Sequence, residues 1–126
     1  MKYNLVDSCG WLEYFTAGPN ARFFDPALKA VDHLIVPTIC LAEVFKVIYR
    51  EKGRRTAAEF VAAMKRGRVV DLDHALAVSA GLIGVNHQLP LADSIILATA
   101  RAYHAELWTQ DEHFKQFPEV KFISKS

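Results

Sequence analysis

Residues 3–15 read YNLVDSCGWLEYF, and the pattern of this stretch changes from strand to helix. Its first four residues favour a short β-strand, and the large apolar side chains after Asp7 favour a helix that ends before Gly18 and Pro19. Because the strand leads directly into a helix, the stretch predicts an α/β fold, in which strands and helices alternate along the chain. Asp7 then lies at the carboxyl end of the first strand.

The same alternation continues through the rest of the sequence. Four further β-favouring runs predict strands at 34–36, 69–72, 106–109 and 120–123. Apolar residues at helical spacing predict helices at 20–32, 38–52, 54–66, 75–85 and 91–104, with a short helical turn at 111–114. Five strands with helices between them predict a mostly parallel five-stranded sheet that helices cover on both faces. Right-handed crossovers then bring the carboxyl ends of the strands to one edge of the sheet.

Length and composition narrow the class of protein. The chain has 126 residues, which is the size of one domain, so we expect a single domain over residues 1–126. Its 52% hydrophobic and 23% charged residues are typical of a globular protein and exclude a disordered or collagen-like chain. No apolar run approaches the about 20 residues that cross a bilayer, and Asp7 interrupts any signal-peptide core, so we expect a cytoplasmic protein. The two cysteines, Cys9 and Cys40, are expected to be small buried side chains.

Two aspartates follow predicted strands. Asp7 follows Leu5 and Val6, and Asp111 follows the strand at 106–109. Ligand crevices of open α/β sheets form at this end of the strands, so both carboxylates are candidate site residues. The alternative for each is a helix cap, a role that aspartate often fills.

Two more carboxylates lie on apolar helix faces. Glu43 has Ile39, Cys40 and Val47 as its neighbours at helical spacing, which puts the carboxylate on the apolar stripe. Asp93 repeats this pattern within residues 89–97. A buried carboxylate needs a cation, a metal ion or hydrogen-bond partners. The alternatives are a salt bridge for Glu43 and a first-turn carboxylate, favoured by the helix dipole, for Asp93.

If the four carboxylates converge at one sheet edge, they form a pocket with a formal charge of about −4, which requires a divalent cation. An all-oxygen site points to Mg²⁺ or Mn²⁺ and suits phosphodiester hydrolysis. Ser8, Ser94 and Thr109 each lie within two residues of one of these acids and are candidates to position water, although hydroxyls here are also routine caps.

A basic segment accompanies the acidic residues. Residues 46–68 carry eight basic and two acidic side chains, a net charge of +6, whereas the whole chain carries +1. A basic region beside a metal pocket would hold a phosphate backbone, so we expect Arg50, Lys52, Arg54 and Arg55 to bind RNA. The alternatives are solvated helix faces or a contact with a second copy of the chain.

Four motifs together resemble the PIN-domain ribonucleases, specifically the VapC-like toxins of prokaryotic toxin–antitoxin pairs. They are LVDS at 5–8, VPT at 36–38 with LAEV at 41–44, LADSIILA at 91–98 and TQDEHF at 109–114. The resemblance implies a three-layer α/β/α sandwich, a homodimer, Mg²⁺-dependent endoribonuclease activity and inhibition by a cognate antitoxin. It also implies that the acidic site residues, which are both catalytic and metal-binding, are Asp7, Glu43, Asp93 and Asp111.

An antitoxin peptide that occupies the acidic groove would present a cation beside apolar anchors. Trp11, Tyr14 and Phe15, on the helix after Asp7, are candidates for the surface that receives those anchors. Their alternative role is packing in the core.

The sequence departs from the family pattern at two places. The last motif of the family often has a second acid before the phenylalanine, where this sequence has His113. Cys9 and Gly10 replace the more usual small or β-branched residues after the first acid, which should alter packing rather than chemistry. A phosphatase or receiver domain with paired acids after the first strand is excluded, because Ser8 and Cys9 follow Asp7. A catalytically inactive PIN-fold module that binds RNA or protein is the alternative function.

Overall fold

The computed structural model describes residues 2–125 as an alternation of strands and helices. The strands are β1 Asn4–Val6, β2 Leu34–Pro37, β3 Arg68–Val70, β4 Glu106–Thr109 and β5 Val120–Phe122. The α-helices are α1 Ser8–Phe15, α2 Ala21–Lys29, α3 Thr38–Lys52, α4 Arg54–Met64, α5 His74–His87 and α6 Leu91–Ala102. Two short 3₁₀ turns, Val31–His33 and Glu112–Phe114, precede β2 and follow β4.

The five strands form one sheet in the order β3-β2-β1-β4-β5, and every neighbouring pair is parallel. The chain moves from β1 to β2 and β3 on one side, then crosses back to β4 and β5 on the other. Right-handed crossovers therefore place α1 to α4 on one face of the sheet and α5 and α6 on the opposite face. The predicted α/β/α architecture is confirmed, with a sheet that is wholly parallel.

The reversal of strand order creates a crevice between β1 and β4. These two strands are neighbours in the sheet, and the helices that follow them lie on opposite faces. Open α/β sheets bind ligands at such a point, outside the carboxyl ends of the strands. A ligand-binding or catalytic site is therefore expected at the residues that directly follow β1 and β4.

The core fills both faces of the central strands. Leu5, Ile35 and Leu107, one from each of the three central strands, have no exposed surface. Phe24 of α2 and Phe114 of the second 3₁₀ turn are also completely buried. Strands covered on both faces lack polar alternation, which explains why β2 is a short apolar run in the sequence.

Several element boundaries differ from the sequence-based prediction. The helix predicted at 20–32 ends at Lys29, and Pro26 lies inside it on an exposed position, where water can replace the missing backbone donor. The strand predicted at 69–72 is Arg68–Val70, because the chain turns away toward Asp73, which accepts a hydrogen bond from the backbone N–H of Leu76 and caps α5.

Within residues 2–125, no single helix is both long and apolar enough to cross a membrane. Helices α5 and α6 meet the length and composition criteria only as a pair, and the chain bends by 115° between them.

Candidate active site

Asp7 lies at the carboxyl end of β1 and caps the N-terminus of α1. Its side chain is 4% exposed. Oδ1 accepts a hydrogen bond from the backbone N–H of Ser8 at 2.7 Å, and Oδ2 accepts one from the hydroxyl of Thr109 at 2.8 Å. Helix N-termini favour negative charge, so capping and a functional role are compatible at this position.

Thr109 joins the ends of the two central strands. Its hydroxyl, which is fully buried, donates to Asp7 and accepts a hydrogen bond from the backbone N–H of Asp111 at 2.9 Å. Asp111 in turn caps the second 3₁₀ turn, where its Oδ1 accepts from the backbone N–H of His113 at 2.9 Å. One hydroxyl therefore fixes the relative positions of Asp7 and Asp111.

Glu43 reaches the same region from α3. It is half-buried, and its Oε1 accepts a hydrogen bond of 2.6 Å from the hydroxyl of Ser8. Ser8 follows Asp7 directly and also donates its backbone N–H to that carboxylate. Ser8 therefore holds two carboxylates at once, which is a more specific contact than the water-positioning role predicted from the sequence.

Asp93 completes the cluster from the first turn of α6. Its Oδ2 lies 2.8 Å from Nδ1 of His113, and the same nitrogen lies 3.3 Å from Oδ1 of Asp111. One ligand atom from each of these three residues lies within 4.8 Å of the others, a spacing that can hold a metal ion.

The electrostatics connect all four carboxylates. Burial raises the pKa of Asp7 from its usual 3.8 to about 6, hydrogen bonds from Thr109 and Cys9 oppose this rise, and the charges of Asp93 and Asp111 add to it. Burial raises the pKa of Asp93 as well, the hydrogen bond and charge of His113 oppose this rise, and the charges of Asp111 and Glu43 add to it. Within residues 2–125, no lysine or arginine forms an ion pair with any of the four. The pocket therefore carries an excess of negative charge that an added cation would relieve.

This excess predicts a pH-dependent stability in the presence of a metal chelator. The folded-state pKa of Asp7 lies above the unfolded value, so its charged form destabilises the fold, and the free energy of unfolding decreases as pH rises through this range. Asp7→Asn removes that charge. We expect the stability of the variant relative to the wild type to increase by about 1 kcal/mol between about pH 5 and about pH 7.5.

Chemical denaturation at the two pH values measures this difference, with Asp73→Asn as the control. Asp73 also caps a helix, but it is exposed. A constant difference between Asp7→Asn and wild type at both pH values would contradict the buried charge at Asp7.

Two residues near the site have contacts that the sequence did not indicate. Ser94 is 1% exposed, and its hydroxyl donates to the carbonyl of Pro90 at 3.0 Å inside the first turn of α6. Its predicted water-positioning role receives no support from these contacts. The thiol of Cys9 is half-buried and donates to Oδ2 of Asp7 at 3.3 Å, so Cys9 is part of the site, whereas Cys40 is a buried core residue as expected.

The four predicted RNA-binding residues surround the corner between α3 and α4. Arg50, Lys52, Arg54 and Arg55 are all exposed, and Gly53 makes the corner with a positive φ of 87°. Arg50 follows Glu43 by seven residues, so it lies on the same side of α3 about 10 Å further along the helix axis. RNA binding by these residues stays a prediction.

Comparisons with known proteins agree with this architecture. The PIN domain profile matches residues 5–120. A chain of a toxin–antitoxin complex from Klebsiella pneumoniae is 23% identical with a TM-score of 0.76, and the alignment covers 94% of this chain and 95% of that chain. The VapC20 toxin of Mycobacterium tuberculosis, described as cleaving the sarcin–ricin loop, is 22% identical with a TM-score of 0.76, covering 93% of this chain and 98% of that chain.

A third structure, VapBC2 from Rickettsia felis bound to a DNA fragment from its promoter, is 17% identical with a TM-score of 0.74 and covers 98% of both chains. Comparison with curated protein sequences gives no match. The structural likeness extends over nearly the whole chain and establishes the fold, and the profile match covers most of the sequence. The chain belongs to the PIN-domain family.

Proposed function

We propose that this protein is a divalent-metal-dependent endoribonuclease that acts as the toxin of a toxin–antitoxin pair in the cytoplasm. The observation that carries the proposal is a group of four carboxylates at the switch point of the sheet. Ser8 links Asp7 to Glu43, and Thr109 links Asp7 to the backbone of Asp111. Asp93 and Asp111 lie together with His113 at a spacing that can hold an ion, and their charges act on Asp7. No lysine or arginine among residues 2–125 forms an ion pair with the four carboxylates. Membership of the PIN family supports nuclease chemistry at this place.

The donor set fits a hard divalent cation. All four proposed ligands are carboxylates, the group that Mg²⁺ and Mn²⁺ prefer in proteins. Asp7 is buried, whereas the Asp93 and Asp111 side chains are 15% and 29% exposed, so the cluster has a closed floor and an open side. When bound there, the cation would activate water and stabilise the negative charge that develops on the phosphate.

The protein side chains supply orientation and a place for the proton. Ser8 and Thr109 fix both oxygens of Asp7, so this carboxylate cannot turn away from the cluster. Ser8 occupies Oε1 of Glu43 and leaves Oε2 to accept the proton of the attacking water. Water attacks phosphorus and gives its proton to Glu43, and the bond between phosphorus and the leaving sugar oxygen breaks. That oxygen takes up a proton from solvent, and the phosphate stays on the other RNA fragment.

The test compares single-stranded RNA with DNA of the same sequence, each with a chelator and with added Mg²⁺ or Mn²⁺. We expect internal cleavage of RNA only when the divalent cation is present. Cleavage that persists in the chelator would contradict the metal dependence. Metal binding without any cleavage of RNA would favour the alternative of an inactive binding module.

We also propose that an antitoxin covers the aromatic surface at the end of α1. A pocket of about 230 Å³ lies between α1, α2 and α4, with Trp11, Tyr14 and Phe15 among its lining residues and Lys29 and Arg66 also lining it. Trp11 is 4% exposed, and its indole N–H is the buried side-chain donor without a partner among residues 2–125. Such a pocket suits an apolar anchor that carries a hydrogen-bond acceptor. Leu34 and Gly67, which also line the pocket, lie at the amino ends of β2 and β3, the edge of the sheet opposite the carboxylates. Helix α1 extends from Asp7 toward this edge over eight residues, about 12 Å, so a bound peptide must follow α1 to reach both places.

If the peptide places a cation among the carboxylates, it competes with the metal ion. We therefore expect the affinity of the protein for the product of an adjacent small gene to decrease as the Mg²⁺ concentration rises, with NaCl added to hold the ionic strength constant. Calorimetry across a magnesium series measures this dependence.

Two exposed tyrosines provide the matched control for the location. Tyr14, at the pocket, is 38% exposed, and Tyr49, on α3, is 48% exposed. Tyr14→Ala is expected to weaken binding more than Tyr49→Ala. An affinity that does not depend on Mg²⁺ would exclude competition for the acidic cluster.

The outer face of α5 is our proposal for the homodimer interface. Val78, Leu82 and Val85 are 74%, 63% and 80% exposed, and they lie opposite the buried Leu76 and Ile83. The helix contains no Asp, Glu, Lys or Arg, so two copies can pack face to face without like-charge repulsion.

A charge on this face is expected to dissociate the dimer. Leu82→Glu places a carboxylate in the centre of the face, and light scattering should then report a monomer that remains folded. Leu72→Glu, at an exposed leucine outside α5, is the control and should leave the dimer intact. A dimer that tolerates Leu82→Glu would contradict the proposal.

A further inference from the structure

His113 lies within the acidic cluster, where it offers a nitrogen among oxygens. Its Nδ1 is 2.8 Å from Oδ2 of Asp93 and 3.3 Å from Oδ1 of Asp111. The imidazole is 57% exposed, so it stands at the open side of the cluster while Asp7 lies at its buried floor. The three atoms belong to two different segments, the first turn of α6 and the turn after β4.

The fold holds this imidazole in place from both sides. Asp111 caps the 3₁₀ turn by accepting the backbone N–H of His113, and Phe114, the next residue, is completely buried. The backbone of the turn is therefore fixed, and the imidazole can leave the carboxylates only by rotation about its own side-chain bonds.

The spacing of the three donor atoms fits one ion. Ligands of an octahedral ion with bonds of about 2.1 Å lie about 3 to 4.2 Å apart. Nδ1 of His113 lies 2.8 Å from the oxygen of Asp93 and 3.3 Å from that of Asp111, at the lower end of this range. A small outward rotation of the exposed imidazole therefore opens room for one ion among the three atoms.

Imidazole and carboxylate differ in the ions that they favour. Mg²⁺ selects oxygen donors, whereas imidazole binds first-row transition ions. A histidine in place of a fifth carboxylate also removes one negative charge from the cluster, which weakens the attraction for an ion that binds mainly by charge.

We propose that His113 is a metal ligand that makes this site prefer Mn²⁺, or another first-row transition ion, over Mg²⁺. This inference rests on the metal site of the proposed function and adds the choice of ion to it. The alternative is that His113 forms hydrogen bonds to Asp93 and Asp111 and blocks the metal position. The two roles predict opposite effects of truncating His113 on the affinity for the metal ion.

Electron paramagnetic resonance of Mn²⁺ tests the proposal without measuring catalysis. In the wild type at one fixed, mildly alkaline pH, the spin-echo modulation of bound Mn²⁺ should show the nitrogen coupling of a coordinated imidazole. Competition by Mg²⁺ gives the ratio of the two affinities. His113→Asp should abolish the nitrogen coupling and decrease the preference for Mn²⁺ over Mg²⁺ at least about tenfold, the range of effects seen when metal surroundings change.

The variant His113→Ala distinguishes a metal ligand from a side chain that only blocks the metal position. As a ligand, His113 contributes to Mn²⁺ affinity, so its truncation should weaken Mn²⁺ binding. An increase in affinity for both ions in His113→Ala would overturn the proposal. His74→Ala, at an exposed histidine that begins α5, is the control and should change neither quantity.

Asp7→Asn makes failure of this inference distinguishable from failure of the proposed function. Mn²⁺ that binds in the wild type, is lost in Asp7→Asn and shows no nitrogen coupling would overturn the role of His113 alone. Absence of Mn²⁺ and Mg²⁺ binding in the wild type would overturn both proposals.

Discussion

RNA cleavage by Asp93→Asn is expected to fall at least about a hundredfold below the wild type in the presence of saturating divalent cation. Even residues that only orient metal ligands are worth about 10- to 100-fold, and Asp93 is proposed as a ligand itself. The substitution preserves size and changes one oxygen to an amide nitrogen, which cannot bind a cation. Initial rates on a labelled RNA oligonucleotide measure the effect.

Folding must be shown to survive the substitution. Asp93 is half-buried with a raised pKa, so removal of its charge should not destabilise the protein in the chelator. Asp73→Asn provides a matched control, because Asp73 also lies at the start of a helix but outside the cluster. Wild-type cleavage rates in Asp93→Asn would remove this carboxylate from the site.

Thr109→Val is expected to reduce cleavage about 10- to 100-fold while it retains the shape of the side chain. The hydroxyl of Thr109 donates to Asp7 and accepts a hydrogen bond from the backbone N–H of Asp111. Its loss therefore removes one of the contacts that orient the Asp7 carboxylate and the contact that ties the backbone of Asp111 to it. It also removes a hydrogen bond that lowers the pKa of Asp7, so that pKa should rise. The change in cleavage rate and the pH at which activity appears are the two measurements.

Thr99→Val is a closely matched control for this prediction. Thr99 is 2% exposed, and its hydroxyl donates to the carbonyl of Ile95 within α6. Both substitutions replace a buried hydroxyl by a methyl group. Thr99→Val therefore measures the loss of stability that this replacement causes away from the site. Equal losses of activity in the two variants would show that Thr109 acts through stability rather than through the site.

The strand-end carboxylates were predictable because their position follows from topology alone. Parallel strands with right-handed crossovers must end at a common edge, so Asp7 and Asp111 could be placed together from the sequence. Glu43 was predictable for a different reason, since a carboxylate on an apolar helix stripe requires a partner. The structure supplies that partner as the hydroxyl of Ser8.

Side-chain directions were not predictable from spacing. Ser94 follows Asp93, yet its hydroxyl turns back to the carbonyl of Pro90, because serine in a first helical turn can bond to its own backbone. In the sequence, His113 stands out only as a departure from the last motif of the PIN family. Its contact with Asp93 joins two segments twenty residues apart, and only the assembled fold brings them together.

The outer face of α5 shows a further limit of sequence reasoning. Val78 and Leu82 are at helical spacing with each other, on the side of α5 opposite the buried Leu76 and Ile83, and their apolar character alone does not show which side faces the core. The structure exposes both side chains, which makes this apolar face a candidate interface.

Calorimetric titration of the purified, chelator-treated protein with Mg²⁺ and Mn²⁺ shows most directly whether the four carboxylates form one cation site. We expect saturable binding in the wild type and loss of that binding in Asp7→Asn, with binding by Asp73→Asn unchanged. Binding that is equally strong in the wild type and in Asp7→Asn, or no binding in either, would contradict it.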